Sequence, residues 1–195
     1  MKKLILFFSL MMAVPAFAAS PPAVKVEVGS GHGSGVYLGH GYVLTAGHVA
    51  DAATDFEVTI KTQSDGYTYT GKVMWKDTRR DFALLKISDQ ADIMPAKLAC
   101  RSPVVGEKIT VVGWPDGTPS AIRVGGYIGS IEGKNGPWID SYITIAPIFF
   151  GNSGGPAYDE KGELLGLMVG GLREQMTLSI LIPLKEVCPI LPRGL

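Results

Sequence analysis

The chain has 195 residues, of which 46% are apolar and 18% are charged, so it can bury a sizeable core but is too short for several independent domains. Lysine plus arginine and aspartate plus glutamate number 18 each. This balance gives no reason to expect a nucleic acid or an anionic membrane as a partner.

The first 18 residues are expected to be a signal peptide and not part of the fold. Two lysines precede a mostly apolar run at 4–14, which is followed by 15–18 (PAFA). A basic start, a short apolar segment and small residues before the cut are typical of export signals. The run is far shorter than the ~20 residues of a membrane-spanning helix. We therefore predict cleavage after Ala18, a periplasmic or secreted chain, and no stable membrane insertion.

After the signal, short apolar and β-branched runs alternate with glycine, proline and polar turn residues, which is the pattern of an all-β domain. Six predicted strands precede a connector at 89–105 and six follow it, so two closed or nearly closed six-stranded antiparallel barrels are expected instead of one sandwich. Short helical turns are predicted only at 46–52 and 184–188. The predicted strands are 24–28, 35–38, 42–45, 56–60, 69–75, 82–87, 108–113, 122–131, 138–145, 156–158, 164–169 and 176–182.

The chain has two cysteines, Cys100 and Cys188. An even number in an exported chain favours a disulfide over two free buried thiols, because the compartment beyond an export signal is usually oxidising. The two residues lie too far apart in the sequence for a zinc-ligand spacing such as C-x-x-C. No metal site is predicted.

The sharpest chemical feature is the segment 151–156, GNSGGP. Glycines on both sides of Ser153 permit a tight bend that exposes the hydroxyl and brings backbone N–H groups together beside it. Such donors stabilise a developing oxyanion, each by ~3 kcal/mol. Taken alone, the segment fits an ordinary glycine-rich turn equally well.

A serine nucleophile needs a base, usually a histidine that a carboxylate orients. All three histidines precede Ser153, and no aspartate precedes Asp51. The Gly-x-Ser-x-Gly elbow of lipases requires a histidine after the serine, and the subtilisin order requires an aspartate before the histidine. If the chain has a triad, only the order histidine, aspartate, serine remains.

The sequence context favours His48 as the base. His48 closes the segment 42–49, YVLTAGHV, in which a buried strand ending in a small-residue turn would hold the ring rigidly. His32 and His40 lie in glycine-rich stretches, which are more typical of solvated loops.

Asp81 is the best candidate for the orienting carboxylate. It opens the apolar run 82–87, which would keep the carboxylate partly buried, where it can fix the imidazole tautomer and stabilise the imidazolium. Asp51 and Asp77 remain alternatives on residue context alone.

Four segments occur in an order that is specific when taken together: 33–36 (GSGV), 44–49 (LTAGHV), 80–87 (RDFALLKI) and 151–156 (GNSGGP). With them the chain resembles the trypsin-like serine protease superfamily, and in particular its bacterial HtrA/Deg-like branch. The resemblance covers most of the mature chain. PDZ domains commonly follow the protease unit in this branch, and none is expected here.

The resemblance implies a role for each site residue. His48 would be the general base, Asp81 the orienting acid and Ser153 the nucleophile. The backbone N–H groups of Gly151 and Ser153 would form the oxyanion hole.

The resemblance also implies an architecture. It is all-β, with an N-terminal barrel at 19–100, a C-terminal barrel at 101–195, and the site in the cleft between them. The short final helical turn would pack back on the first barrel, where a disulfide could pin the tail to the inter-barrel linker.

The resemblance gives a guide to specificity as well. Relatives that cut after basic residues carry a carboxylate six positions before the nucleophile, where this chain has Pro147, and glutamate-selective relatives carry a histidine after the nucleophile, where this chain has none. We expect a pocket for a small-to-medium apolar P1 side chain. Its predicted lining is Pro147, Ile148, Val169, Gly170 and Gly171.

The sequence therefore predicts a serine endopeptidase with a polypeptide substrate and neither cofactor nor metal. The rival interpretation is a protease-shaped module that binds peptide without cutting it, which is disfavoured because no triad member is missing. The segment 129–134 (GSIEGK) is one residue too short for a phosphate-binding loop, so a hairpin turn is expected there.

Overall fold

Antiparallel strands form most of the fold in this computed structural model, which confirms the all-β prediction. The structure describes residues 22–51, 57–62, 67–87, 93–172 and 175–195. The predicted signal peptide at 1–18 lies outside these residues. Within the described part of the chain, no helix is long and apolar enough to cross a membrane.

The first half of the chain folds into a closed six-stranded barrel. Its strands are β1 (Ala23–Val28), β2 (Gly31–Gly39), β3 (Tyr42–Ala46), β4 (Glu57–Thr62), β5 (Thr68–Asp77) and β6 (Phe82–Ile87), in the order β1-β2-β3-β6-β5-β4. Val24, Val26 and Val28 of β1 are buried, because alternate side chains of a strand point to the same face. A one-turn helix, α1 (Gly47–Asp51), follows β3 as predicted.

The second half forms a ring of six strands with a seventh attached. The strands are β7 (Lys108–Gly113), β8 (Ile122–Ile128), β9 (Gly133–Asn135), β10 (Trp138–Ile145), β11 (Pro156–Tyr158), β12 (Leu164–Leu172) and β13 (Gln175–Pro183), in the order β13-β12-β11-β7-β8-β10-β9. β13 also pairs with β10, which closes the ring. Two 3-10 turns, Leu184–Glu186 and Cys188–Ile190, follow β13 near the predicted final turn.

The strand predicted at 122–131 is too long. It ends at Ile128, because the N–H groups of Gly129 and Ser130 both donate to the carbonyl of Ile143, at 2.8 and 3.2 Å. The chain turns there and continues as β9, a strand that the sequence did not predict and that pairs with β10.

One hydrophobic cluster crosses from the first barrel to the second. Val36 and Leu44 of the first barrel share it with Trp114, Val169 and Ile182 of the second, and all five are buried. Because protein interiors are close-packed, this shared core fixes the position of one barrel against the other.

The connector between the barrels is tied to the second barrel and to the C-terminal turn. The N–H of Ala99 donates to the carbonyl of Leu164 at 2.9 Å. Cys100 and Cys188 form a disulfide with their Cα atoms 5.9 Å apart. The bridge therefore fastens the last turn of the chain to the connector.

We expect the double variant Cys100→Ser/Cys188→Ser to lose roughly 2–4 kcal/mol of unfolding free energy, because the unfolded chain is no longer closed into a long loop. Urea unfolding of the oxidised protein and of the variant, each with and without reductant, measures the difference. Reductant should lower the midpoint of the wild type alone. Equal midpoints for all samples would contradict the stabilising role of the bridge.

Candidate active site

The side chains of His48 and Asp81 are joined at the junction of α1 with the loop before β6. Nδ1 of His48 lies 2.7 Å from Oδ2 of Asp81, and the backbone N–H of His48 donates to Oδ1 at 2.7 Å. The Asp81 side chain is 11% exposed and that of His48 is 44% exposed. The carboxylate is therefore sheltered while the imidazole faces solvent.

This contact decides the tautomer of His48. An ionised carboxylate only accepts hydrogen bonds, so the proton of the neutral ring sits on Nδ1. Nε2 is then the basic nitrogen that can take a proton from another group.

The three competing aspartates have different roles. Asp77 accepts the N–H groups of Arg79 and Arg80 and the guanidinium of Arg80. Although burial works in the opposite direction, these donors hold the pKa of Asp77 below its usual range. Asp51 pairs with Lys76. Asp81 alone of the three bonds to His48.

Asp81 is held in an unusual backbone conformation. Its φ is +58°, which non-glycine residues adopt rarely and which tends to cluster at functional sites. Its carbonyl accepts the N–H of Gly47 at 2.8 Å. The tight turn before β6 thus directs the carboxylate of Asp81 toward His48.

The loop that carries Ser153 requires glycine at two positions. Gly151 has a φ of +93° and Gly154 a φ of +81°, in the left-handed region that glycine enters without penalty. A Cβ at Gly151 would lie 2.2 Å from the carbonyl oxygen of Trp114, and one at Gly154 would lie 2.2 Å from that of Ser34. No side chain fits at either position.

The N–H groups of Gly151 and Ser153 have no hydrogen-bond partner among the described residues, whereas those of Asn152 and Gly154 donate to carbonyl groups. Buried N–H groups are normally paired. Two unpaired donors beside one serine hydroxyl are therefore available to a ligand.

A bond on the far side of the loop sets the direction of one of these donors. The carbonyl of Phe150 accepts the N–H of Asp116 at 2.7 Å. Because the C=O and N–H of a trans peptide point in opposite directions, the N–H of Gly151 points away from Asp116.

Ser34 on β2 anchors this loop to the first barrel. Its hydroxyl donates to the carbonyl of Gly151 at 2.7 Å and accepts the N–H of Trp114 at 3.0 Å. Its backbone N–H donates to the carbonyl of Ser153 at 2.7 Å. Ser34 of the first barrel therefore holds the loop that carries Ser153 in the second.

One cavity of about 720 Å³ brings the predicted site residues together. His48, Asp81 and Ser153 all line it, as do four of the five predicted substrate-binding residues. Pro147 is half-buried and is not among the lining residues. The complete lining is Gly47, His48, Asp51, Thr78, Asp81, Pro137, Trp138, Ile148, Phe149, Phe150, Ser153, Val169, Gly170, Gly171, Leu172 and Leu178.

The hydroxyl of Ser153 donates to the carbonyl of Val169 at 3.4 Å. Among the described residues, no hydrogen bond joins Ser153 to His48, although both line the same cavity. Catalytic hydrogen bonds are often long or misaligned before a ligand binds.

The other two histidines lie elsewhere. His32 is not in a solvated loop, as the sequence suggested, but half-buried in β2, where Nε2 donates to the carbonyl of Trp114 at 3.1 Å. His40 occupies a turn with a φ of +50°. No cluster of three or more histidine, cysteine or acidic residues that could hold a metal occurs in the described ranges.

Sequence reasoning missed Trp138, whose Nε1 donates to Oδ2 of Asp81 at 2.8 Å. It also missed Phe149 and Phe150 at the cavity and Ser34 behind the loop. Phe149 and Phe150 directly precede the serine motif and could have been found from that proximity. Ser34 lies in the segment 33–36 that contributed to the resemblance, but nothing in that segment marks its hydroxyl as an anchor, and Trp138 has no local signal that points to this site.

Replacing Ser34 by alanine should lower the free energy of unfolding by about 1–3 kcal/mol, because the buried N–H of Trp114 loses its acceptor. Denaturant unfolding measures the effect. Ser30→Ala, in the exposed turn after β1, is the matched control and should change stability by less than about 0.5 kcal/mol. Similar values for both variants would show that Ser34 does not anchor the loop.

Known proteins share this sequence pattern. A model of the trypsin-like peptidase domain matches residues 33–167. The periplasmic serine endoprotease DegP of Salmonella typhimurium is 36% identical over 142 residues, which are 69% of this chain and 29% of DegP. The chain thus spans less than a third of the length of that relative.

Solved structures show the same fold. The serine endoprotease from Yersinia pestis superposes with a TM-score of 0.76 at 27% identity, covering 88% of this chain and 62% of that one. The active form of a protease from M. tuberculosis superposes with a TM-score of 0.77 at 23% identity, covering 88% of this chain and 80% of that one.

Proposed function

The chain belongs to the trypsin-like peptidase family, and on that premise we propose that it is a serine endopeptidase that cleaves polypeptides through an acyl-enzyme on Ser153. The observation that carries the proposal is the bond between Asp81 and Nδ1 of His48 at 2.7 Å, in a cavity that Ser153 also lines. The carboxylate leaves Nε2 of His48 as the base.

The chemical steps balance without a cofactor. Nε2 of His48 takes the proton of the Ser153 hydroxyl while the oxygen attacks the scissile carbonyl carbon. The imidazolium, stabilised by Asp81, gives that proton to the leaving amine as the C–N bond breaks. Water then attacks the acyl-enzyme with the same base, which releases the acid and restores Ser153.

The hydroxyl must first leave the carbonyl of Val169. Its 3.4 Å bond to that oxygen lies at the long end of the range for a hydroxyl donor and is correspondingly weak. Rotation about the Cα–Cβ bond of Ser153 carries the oxygen between staggered positions. Substrate that occupies the cavity would favour the rotamer facing His48.

The unpaired N–H groups of Gly151 and Ser153 are the proposed oxyanion donors. A tetrahedral intermediate places a full negative charge on the former carbonyl oxygen, and donors fixed in advance stabilise that charge without reorganisation. The glycine conformations and the Ser34 anchor keep these donors in place.

We expect Asp81→Asn to reduce kcat by about 10⁴-fold, because an amide permits the wrong imidazole tautomer. Steady-state kinetics on a peptide substrate measures the loss.

We expect a fluorophosphonate probe to label the wild-type protein and to leave Ser153→Ala unlabelled. Ser120→Ala, which replaces an exposed serine, is the matched control and should label normally. A folded wild-type protein that neither labels nor cleaves would instead favour the peptide-binding module.

An apolar P1 side chain suits the cavity. Its walls include Ile148, Val169, Leu172 and Leu178, and a charged side chain buried there would lack a partner. Of the acidic lining residues, Asp81 already accepts three hydrogen bonds and Asp51 is paired with Lys76. The branched walls favour small-to-medium P1 residues.

Digestion of an unbiased peptide library should therefore give cleavage mainly after small-to-medium apolar residues, with Ser153→Ala as the blank. Mass spectrometry of the fragments reads the P1 distribution directly. Cleavage concentrated after lysine, arginine or glutamate would overturn the assignment of the pocket.

Export to the periplasm or medium is part of the same proposal. It is supported by the predicted signal peptide at 1–18 and by the Cys100–Cys188 disulfide, since disulfides persist in oxidising compartments. The relative DegP is named as periplasmic.

A further inference from the structure

The indole of Trp138 reaches from the second barrel to the carboxylate of the first. Trp138 begins β10, and its Nε1 donates to Oδ2 of Asp81 at 2.8 Å. Oδ2 also faces Nδ1 of His48 at 2.7 Å. Trp138 and His48 therefore share one acceptor atom.

This shared acceptor limits the freedom of Asp81. The backbone N–H of His48 holds Oδ1, and the two ring N–H groups hold Oδ2 from different elements. Hydrogen bonds to an ionised acceptor are shorter and stronger than neutral ones. Without the indole donor, His48 alone among the described residues would hold the carboxylate that must orient it.

The indole itself is firmly placed. A Cβ at Gly170 of β12 would lie 2.5 Å from Cη2 of Trp138, so the ring rests against the bare backbone of that strand. The neighbouring residue, Val169, accepts the Ser153 hydroxyl. Trp138 thus contacts both the acid and the strand beside the nucleophile.

The backbone on either side of the tryptophan is braced too. Asp140 of β10 and Glu186 lie 3.8 and 3.5 Å from Nε of Arg80, the residue before Asp81. The side-chain amide of Asn135 on β9 donates to the carbonyl of Ser141 at 3.1 Å. Besides Trp138, the ion pair between Asp140 and Arg80 joins the β9–β10 hairpin to the loop that carries the carboxylate.

We propose that Trp138 is a positioning residue of the reaction, which holds the carboxylate of Asp81 and through it the imidazole of His48. The inference rests on the proposed function. It gives the β9–β10 hairpin a role in catalysis and not only in shaping the cavity.

Kinetics separate this role from that of a cavity wall. Trp138→Phe keeps an aromatic ring and loses the donor, and kcat per titrated active site on a peptide amide should fall about 10- to 100-fold with KM nearly unchanged, as expected for a misplaced catalytic group. A wall residue would raise KM and leave kcat intact. Trp75→Phe, which removes an indole from the first barrel, should leave both constants unchanged.

A second substitution isolates the N–H group. Benzothienylalanine at position 138 preserves the shape of the indole and replaces the N–H by sulfur, so it should reproduce the loss of kcat without a packing defect. Wild-type kcat in this protein would overturn the proposal, whatever the stability of Trp138→Phe.

A readout independent of proteolysis uses the inactive Ser153→Ala protein. The proton on Nδ1 of His48 should give a far-downfield NMR signal that is lost by solvent exchange when Trp138→Phe is added and kept when Trp75→Phe is added. An unchanged signal in the Trp138 variant would overturn this inference alone. Failure of the wild type to label or cleave, with the NMR signal still lost in the Trp138 variant, would overturn the proposed function and leave the bond between Trp138 and Asp81 as a purely structural contact.

Discussion

The buried carboxylate of Asp81 is the constraint on which the site depends. A buried, ionised carboxylate is costly unless donors surround it, and here the donors come from His48 and Trp138, on α1 and β10. Because His48 lies in the first barrel and Trp138 in the second, the carboxylate keeps all its hydrogen-bond donors only while the barrels stay packed. The fold and the orientation of the imidazole are thereby coupled.

The loop that carries Ser153 in the second barrel is likewise held by a residue of the first barrel. Gly151 and Gly154 permit a backbone that leaves no room for side chains, and Ser34 of the first barrel ties it down. Each barrel thus supplies a residue that fixes the reactive group of the other. The hydrophobic cluster that the two barrels share keeps these contacts between them in place.

Sequence patterns predicted what is local and missed what is not. Short apolar and β-branched runs bounded by turn residues located the strands, and the chain order of histidine, aspartate and serine was enough to exclude other triad types. Residue context could not decide whether Asp77 or Asp81 orients the histidine. Asp77 instead accepts the backbone N–H groups of Arg79 and Arg80, and backbone donors carry no sequence signature. Trp138 was missed because it lies 57 positions after Asp81 in the sequence and contacts it only through the packing of the two barrels.

The proposed roles of Ser153, His48 and the two N–H groups are tested most directly by a crystal structure of the protein inhibited by a fluorophosphonate. We expect a bond from Oγ of Ser153 to phosphorus, with one phosphoryl oxygen about 2.7–3.1 Å from the N–H groups of both Gly151 and Ser153, and Nε2 of His48 within hydrogen-bond distance of the adduct. An adduct on another residue, or a phosphoryl oxygen that meets neither N–H group, would contradict the proposed site.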